Sequence, residues 1–190
     1  MVEKKVMLSP SKITAWLECE HYLTLKINDE LRPKKERIKK AAAKPEPYSG
    51  LMPPPEDFAD MLRKKGNLHE QRCLRRYKET FPNSVYEVPE RNEAAYENFS
   101  EWIQRIGNPM EGNHAVIFQM PFMHEGIRGV ADFLLRVEYG NGKVAYEPVD
   151  SKLSRTGAKQ GHLLQLLFYA EAVEAKTGIR PRQVHVLLGS

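Results

Sequence analysis

Cysteine is scarce: Cys19 and Cys73 are the only two in 190 residues. Two thiols cannot build the disulfide framework of a small secreted domain, and such low usage fits a reducing compartment. No apolar run approaches the length of a membrane span. The opening Met1-Val2-Glu3-Lys4-Lys5 leads into a mixed segment that lacks the apolar centre of a signal peptide. These absences lead to the expectation of a cytoplasmic protein with no membrane partner.

What is present describes a folded chain. Hydrophobic residues make up 41% and charged residues 28%, with a mean hydropathy of −0.56, the balance of a globular rather than a disordered protein. A length of 190 residues supports one domain with a sizeable core and a small appendage.

The net charge of +4 is unevenly spread. Arg32, Lys34, Lys35, Arg37, Lys39, Lys40 and Lys44 crowd a short stretch that holds one acid, Glu36, so the rest of the chain is slightly acidic. Such a segment suits nucleic-acid phosphates, because basic side chains gain affinity by releasing counterions. A solvated linker accounts for it equally well. Pro45, Pro47, Pro53, Pro54 and Pro55 follow, a density that excludes a helix interior or a central strand. The chain thus divides into an N-terminal helical element over 1–31, a basic and proline-rich connection over 32–55, and a main body over 56–190.

Periodicity supplies the elements. Ser9-Pro10-Ser11 offers cap residues for one or two short helices over 8–30, broken near Glu18-Cys19-Glu20. Residues 56–80 read as one long helix in which Phe58, Leu62, His69, Cys73 and Tyr77 share a narrow arc, with Gly66 as a weak point or a close approach. Residues 84–88 read as a short edge strand and 92–106 as an amphipathic helix. A strand over 115–123, a turn at His124-Glu125-Gly126, and a hairpin of 130–137 with 143–149 around Gly140-Asn141-Gly142 give three antiparallel strands. A polar loop over 155–160 precedes an apolar helix over 162–177, with Gln165 and Tyr169 one turn apart on one face. Residues 184–188 supply a last strand, free to pair in parallel. The fold class is α/β: a three-stranded antiparallel meander plus a further strand after the last helix, flanked by helices.

Two acids in the hairpin break apolar segments. Asp132 lies between Gly129-Val130-Ala131 and Phe133-Leu134-Leu135, and Asp150 follows Pro148-Val149. Alternation puts Asp150 and Lys152 on one face and Ser151 on the other, with Asp132 at the start of the partner strand. Such positions are ordinarily solvated. Buried carboxylates, however, are costly unless paired or bound to metal, which makes this a candidate metal site. By themselves, His69 reads as a hydrogen-bonded core histidine and Cys19 as a packed small hydrophobe.

The element order and five phrases resemble the PD-(D/E)XK nuclease superfamily, in its RecB-like branch. Leu8-Ser9-Pro10-Ser11 with Glu18-Cys19-Glu20-His21-Tyr22-Leu23 resembles the branch's N-terminal helix. Gly66-Asn67-Leu68-His69-Glu70 resembles the first nuclease motif, Gly129-Val130-Ala131-Asp132 the second and Asp150-Ser151-Lys152 the third. Gln165-Leu166-Leu167-Phe168-Tyr169 resembles the Gln-x-x-x-Tyr motif of RecB-like members. Bacterial RecB-family nucleases share the phrase Tyr146-Glu147-x-Val149-Asp150-x-Lys152-Leu153; CRISPR-associated RecB-like exonucleases are more distant.

The resemblance implies a restriction-endonuclease-like core and a metal-dependent nuclease hydrolysing DNA phosphodiester bonds. Single strands or ends are the favoured substrate and exonuclease action is preferred, in repair, recombination or defence. It implies that His69, Asp132, Asp150 and the Ser151 carbonyl hold magnesium or manganese. Lys152 would orient or deprotonate the attacking water, while Gln165 and Tyr169 would position Lys152 and the nucleic-acid backbone. Arg155 joins the basic segment as a nucleic-acid contact. Glu70 and Glu147 rank second, Glu147 having the strand parity opposite to Asp150 that suits a surface carboxylate. Iron–sulfur members pair an N-terminal cysteine, here Cys19, with three more after the last core strand, and two cysteines cannot assemble that site. An iron–sulfur cluster would therefore need a cysteine-bearing segment after residue 190. Either the cluster has been lost or, as the preferred expectation, 56–190 is the nuclease core of a longer protein, with a fused or associated helicase as partner. The rival reading is a DNA-binding module that keeps the fold without catalysis.

Overall fold

β-branched and aromatic residues concentrated between positions 116 and 150 dictate the centre of the molecule. The computed structural model describes residues 8–31, 56–140, 142–154, 157 and 159–189. Arg32, Lys34, Lys35, Arg37, Lys39, Lys40 and Arg155, and the whole connection over 32–55, lie outside the described residues. One five-stranded sheet runs in the order β1 (Val85–Glu87), β2 (Val116–His124), β3 (Ile127–Glu138), β4 (Val144–Lys152) and β5 (His185–Leu188). The central three strands form the antiparallel meander, and β1 and β5 pair in parallel at either edge.

Helices cover both faces. They are α1 (Pro10–Glu18), α2 (Glu20–Leu31), α3 (Glu56–Thr80), α4 (Phe99–Ile106) and α5 (Gln160–Thr177). Alternation along the strands sends Ile117, Leu134 and Tyr146 into a cluster with Phe168, Tyr169, Ala172 and Val173 of α5. Their neighbours Val116, Phe133 and Val149 pack on the opposite face against Cys73 and Leu74 of α3. Each fully buried aliphatic or aromatic side chain there contributes about 1.5–3 kcal/mol. The chain before α1 is tied to the sheet by the Arg128 N–H, which donates to the Leu8 carbonyl at 3.0 Å. Among the described residues no helix is long and apolar enough to cross a membrane.

Two expectations change. The helix expected over 92–106 starts only at Phe99. Asn92 turns the chain on itself by accepting the Ala95 N–H at 3.1 Å, which diverts the backbone from helix. Asn98 then caps α4: its side chain accepts the N–H groups of Ser100 and Glu101, and Glu101 accepts the Asn98 N–H. Tyr96, at φ 55° and 93% exposed, is outside the helix altogether. In α3 the apolar arc is inward only in part. Cys73 is buried, whereas Phe58 and Leu62 are exposed. Gly66 leaves the helix unbroken, and a Cβ there would touch Leu153 at an ordinary 4.0 Å.

One feature of register positions the site. The β3–β4 ladder ends at Phe133 opposite Val149, and the next residues of β4 pair with β5 instead, Asp150 with Val186 and Lys152 with Leu188. The sheet therefore parts between Asp132 and Asp150.

Candidate active site

Where the strands part, side chains replace the ladder. Asp132 sits within β3, not at its start, and its Oδ2 accepts both the Ser151 backbone N–H at 2.8 Å and the Ser151 hydroxyl at 2.9 Å. Asp150 and Lys152 share one face of β4, and Lys152 Nζ donates to Asp150 Oδ1 at 2.8 Å. Asp150 is 2% exposed, and its Oδ2 is buried with no hydrogen-bond partner among the described residues. Burial raises the Asp150 carboxyl to about 6, with Lys152 opposing the shift and Asp132 adding to it.

A third carboxyl joins from α3. Burial lifts Glu70 to about 7; the charge of Asp132 raises it further, while the Gln119 amide and Lys152 pull it down. Gln119 Nε2 donates to Glu70 Oε1. Gln119 itself has φ +60° inside β2, between the paired Phe118 and Met120. A non-glycine residue held there costs roughly 1–3 kcal/mol, and such strain gathers at functional sites. Sequence reasoning missed Gln119, although one polar residue in the run Ile117-Phe118-Gln119-Met120-Pro121-Phe122 carries the same signal as Asp132.

His69 adjoins Glu70 in the chain but is differently engaged. Its Nε2 lies 3.5 Å from the Leu187 carbonyl and 3.8 Å from Cys73 Sγ, both at the outer limit of hydrogen bonding. Leu187 is the register partner of Ser151, so the imidazole stands one strand away from the residue that holds Asp132.

From the other face, α5 contributes Gln165 and Tyr169. The Tyr169 hydroxyl donates to the Val130 carbonyl at 2.7 Å. Burial drives its pKa well above the usual phenol range, against the pull of a hydrogen bond from Gln165. The approach requires glycine at 129, where a Cβ would stand 2.8 Å from the Tyr169 hydroxyl and 3.1 Å from Pro10 Cδ. Gln165 and Lys152 both line a cavity of about 610 Å³.

Two side chains depart from the sequence reading. Glu147 keeps the strand parity opposite to Asp150, but it is 4% exposed rather than superficial. Its Oε2 is 2.8 Å from His185 Nε2, and its Oε1 accepts the Tyr139 hydroxyl at 3.0 Å. The cause is β5, which lies along β4 and carries His185 over the carboxylate. Cys19, expected to pack, is exposed and free.

The donor chemistry fits a hard divalent cation: the charge of Asp132 raises both Glu70 and Asp150, and one oxygen of Asp150 lacks a partner among the described residues. Among the described residues no three histidine, cysteine, aspartate or glutamate side chains stand close enough to enclose one ion. Comparison with family models, with curated proteins and with solved structures finds no match for this chain.

Proposed function

We propose that the chain is a divalent-metal-dependent nuclease of the RecB-like kind, with a restriction-endonuclease-like core, acting on DNA phosphodiester bonds. One observation carries the reading: Asp150 is buried beside Lys152 with one oxygen bonded to the ammonium and the other unpartnered. An orphaned carboxylate oxygen is costly in a folded interior, and a cation at the parted strands accounts for it.

Asp132, Asp150 and the Ser151 carbonyl would hold magnesium or manganese, with His69 from α3 as a further ligand and Glu70 beside it. The ion would supply an activated water and charge relief at the phosphate. Asp132 keeps Ser151 in place through two hydrogen bonds. Lys152 presents its ammonium between Asp150 and the cavity, where it can hold a water or a phosphate oxygen. Tyr169, anchored on Val130, orients Gln165 toward that cavity.

Hydrolysis of single-stranded DNA in manganese tests the proposal. Asp150→Asn is expected to abolish turnover, and Lys152→Ala to do so while calorimetric metal binding persists. Wild-type rates in Asp150→Asn would sink it. DNA binding by the wild type without hydrolysis would favour the rival reading of a non-catalytic module.

A further inference from the structure

Lys152 belongs to two environments. Its ammonium bonds Asp150 on one side, and on the other it forms part of the wall of the 610 Å³ cavity between α1 and the start of α5. Thr14 and Leu17 of α1 face Lys159, His162 and Gln165 across that space. The volume is that of a small-ligand site. No carboxylate lines it among the described residues, whereas Asp132 and Asp150 flank the point where β3 and β4 part. Among the described residues, the acids thus lie at the strand parting while Lys152 and Lys159 face the cavity.

The remaining walls suit a nucleotide unit. His162 Nδ1 accepts the Lys159 backbone N–H at 3.3 Å, so the ring proton sits on Nε2 and the imidazole has a donor to offer. Burial and the charges of Lys152 and Lys159 hold His162 below the usual histidine range, and those two lysines are the charged lining groups among the described residues. Leu17 is 44% exposed and gives an apolar surface. α1 closes the space because residue 161 is glycine: a Cβ there would come within 3.0 Å of Thr14 Cβ and Cγ2.

We propose that this cavity is a second phosphate subsite for the substrate strand. It takes a backbone phosphate adjacent to the scissile one, with Lys159 as counter-charge, His162 as hydrogen-bond donor and Leu17 against the adjoining sugar or base. The inference rests on the nuclease reading for the strand's register, since Lys152 is shared by both sites.

The test is fluorescence anisotropy of a labelled oligodeoxythymidylate over a salt series without divalent ions. Wild type is compared with Lys159→Gln, His162→Ala and, as a control at the far end of α5, Lys176→Glu. Lys159 is exposed, so its replacement leaves the fold intact. Lys159→Gln is expected to lower the slope of log affinity against log salt by about 1, and to weaken binding roughly tenfold near 0.1 M salt. His162→Ala should weaken binding without changing the slope, and Lys176→Glu should change neither. Equal slope and affinity for Lys159→Gln and wild type would overturn the subsite, as would failure of the wild type to bind. Hydrolysis in manganese, measured on the same proteins, separates the two ideas. Lys159-dependent binding without hydrolysis removes the nuclease reading and leaves the cavity as a backbone-phosphate site with no scissile neighbour, whereas hydrolysis with Lys159-independent binding does the reverse.

Discussion

Asp132 holds Ser151 twice, through the backbone N–H at 2.8 Å and the hydroxyl at 2.9 Å, at the point where β3 and β4 cease to pair. One carboxylate oxygen thus substitutes for a missing rung of the sheet. Removing either partner has unequal consequences. Ser151→Ala forfeits one side-chain bond, about 0.5–1.5 kcal/mol, while Asp132→Ala also strands a half-buried N–H, for about 1–3 kcal/mol more. Urea denaturation should rank them in that order, and equal losses would mean the backbone bond is not made.

The acids also set a pH dependence. Glu70 is raised from 4.5 to about 7 and Asp150 from 3.8 to about 6, in each case chiefly by burial. A carboxyl with a raised folded pKa binds its proton more tightly folded than unfolded. Its contribution to stability is complete below the unfolded pKa and is lost as pH climbs through the folded one. Metal-free protein should therefore lose thermal stability between about pH 4 and pH 7 and then level off. Magnesium or manganese should raise Tm more at pH 7.5 than at pH 5, because ligands must be deprotonated. A Glu70→Gln, Asp150→Asn protein that keeps the wild-type slope would refute this account.

Much of this arrangement is legible in the amino acids. Asp132 and Asp150 interrupt apolar runs, and the alternation of β4 alone puts Lys152 on the face of Asp150. The long helix is equally plain, but its rotation is less so. An arc drawn through His69 and Cys73 leaves out Leu74, which is 4% exposed. Including Leu74 widens the inward stripe to Glu70, one turn before it, and brings that carboxyl into view. Gln119 stands out as the one polar residue of an apolar run, but its left-handed backbone carries no glycine or asparagine to mark it. The burial of Glu147 depends on which strand lies beside β4, a long-range fact that strand parity does not contain.

Gly129 of β3 and Tyr169 of α5 form a tight pair where the helix packs on the sheet. A methyl group at 129 would meet the Tyr169 hydroxyl at 2.8 Å and Pro10 at 3.1 Å, and must displace α5 or α1. Gly129→Ala should cost about 1–3 kcal/mol as overpacking, and Tyr169→Phe about 1 kcal/mol for the lost bond to Val130. Because both act on the same contact, the double variant should be less destabilised than the sum. Additive losses in a double-mutant cycle would show that the clash is relieved elsewhere.

The choice between the two candidate side chains on α3 is open to a direct comparison. Among the described residues the His69 ring has only long hydrogen-bond contacts, at 3.5 Å to Leu187 and 3.8 Å to Cys73. Glu70 is engaged by Gln119 and carries a raised pKa, which suits a carboxyl that tunes its neighbours. An imidazole ligand favours manganese over magnesium, whereas a purely carboxylate set does not. His69→Ala should therefore lose hydrolysis in manganese on the order of a hundredfold or more and flatten the preference between the two ions. Glu70→Gln should lose about tenfold, as a supporting residue does, with the preference kept. Rates of single-stranded DNA hydrolysis in each metal decide the matter. If Glu70→Gln proves the more damaging, the ligand from α3 is the carboxylate, and the imidazole serves only to brace the helix against β5.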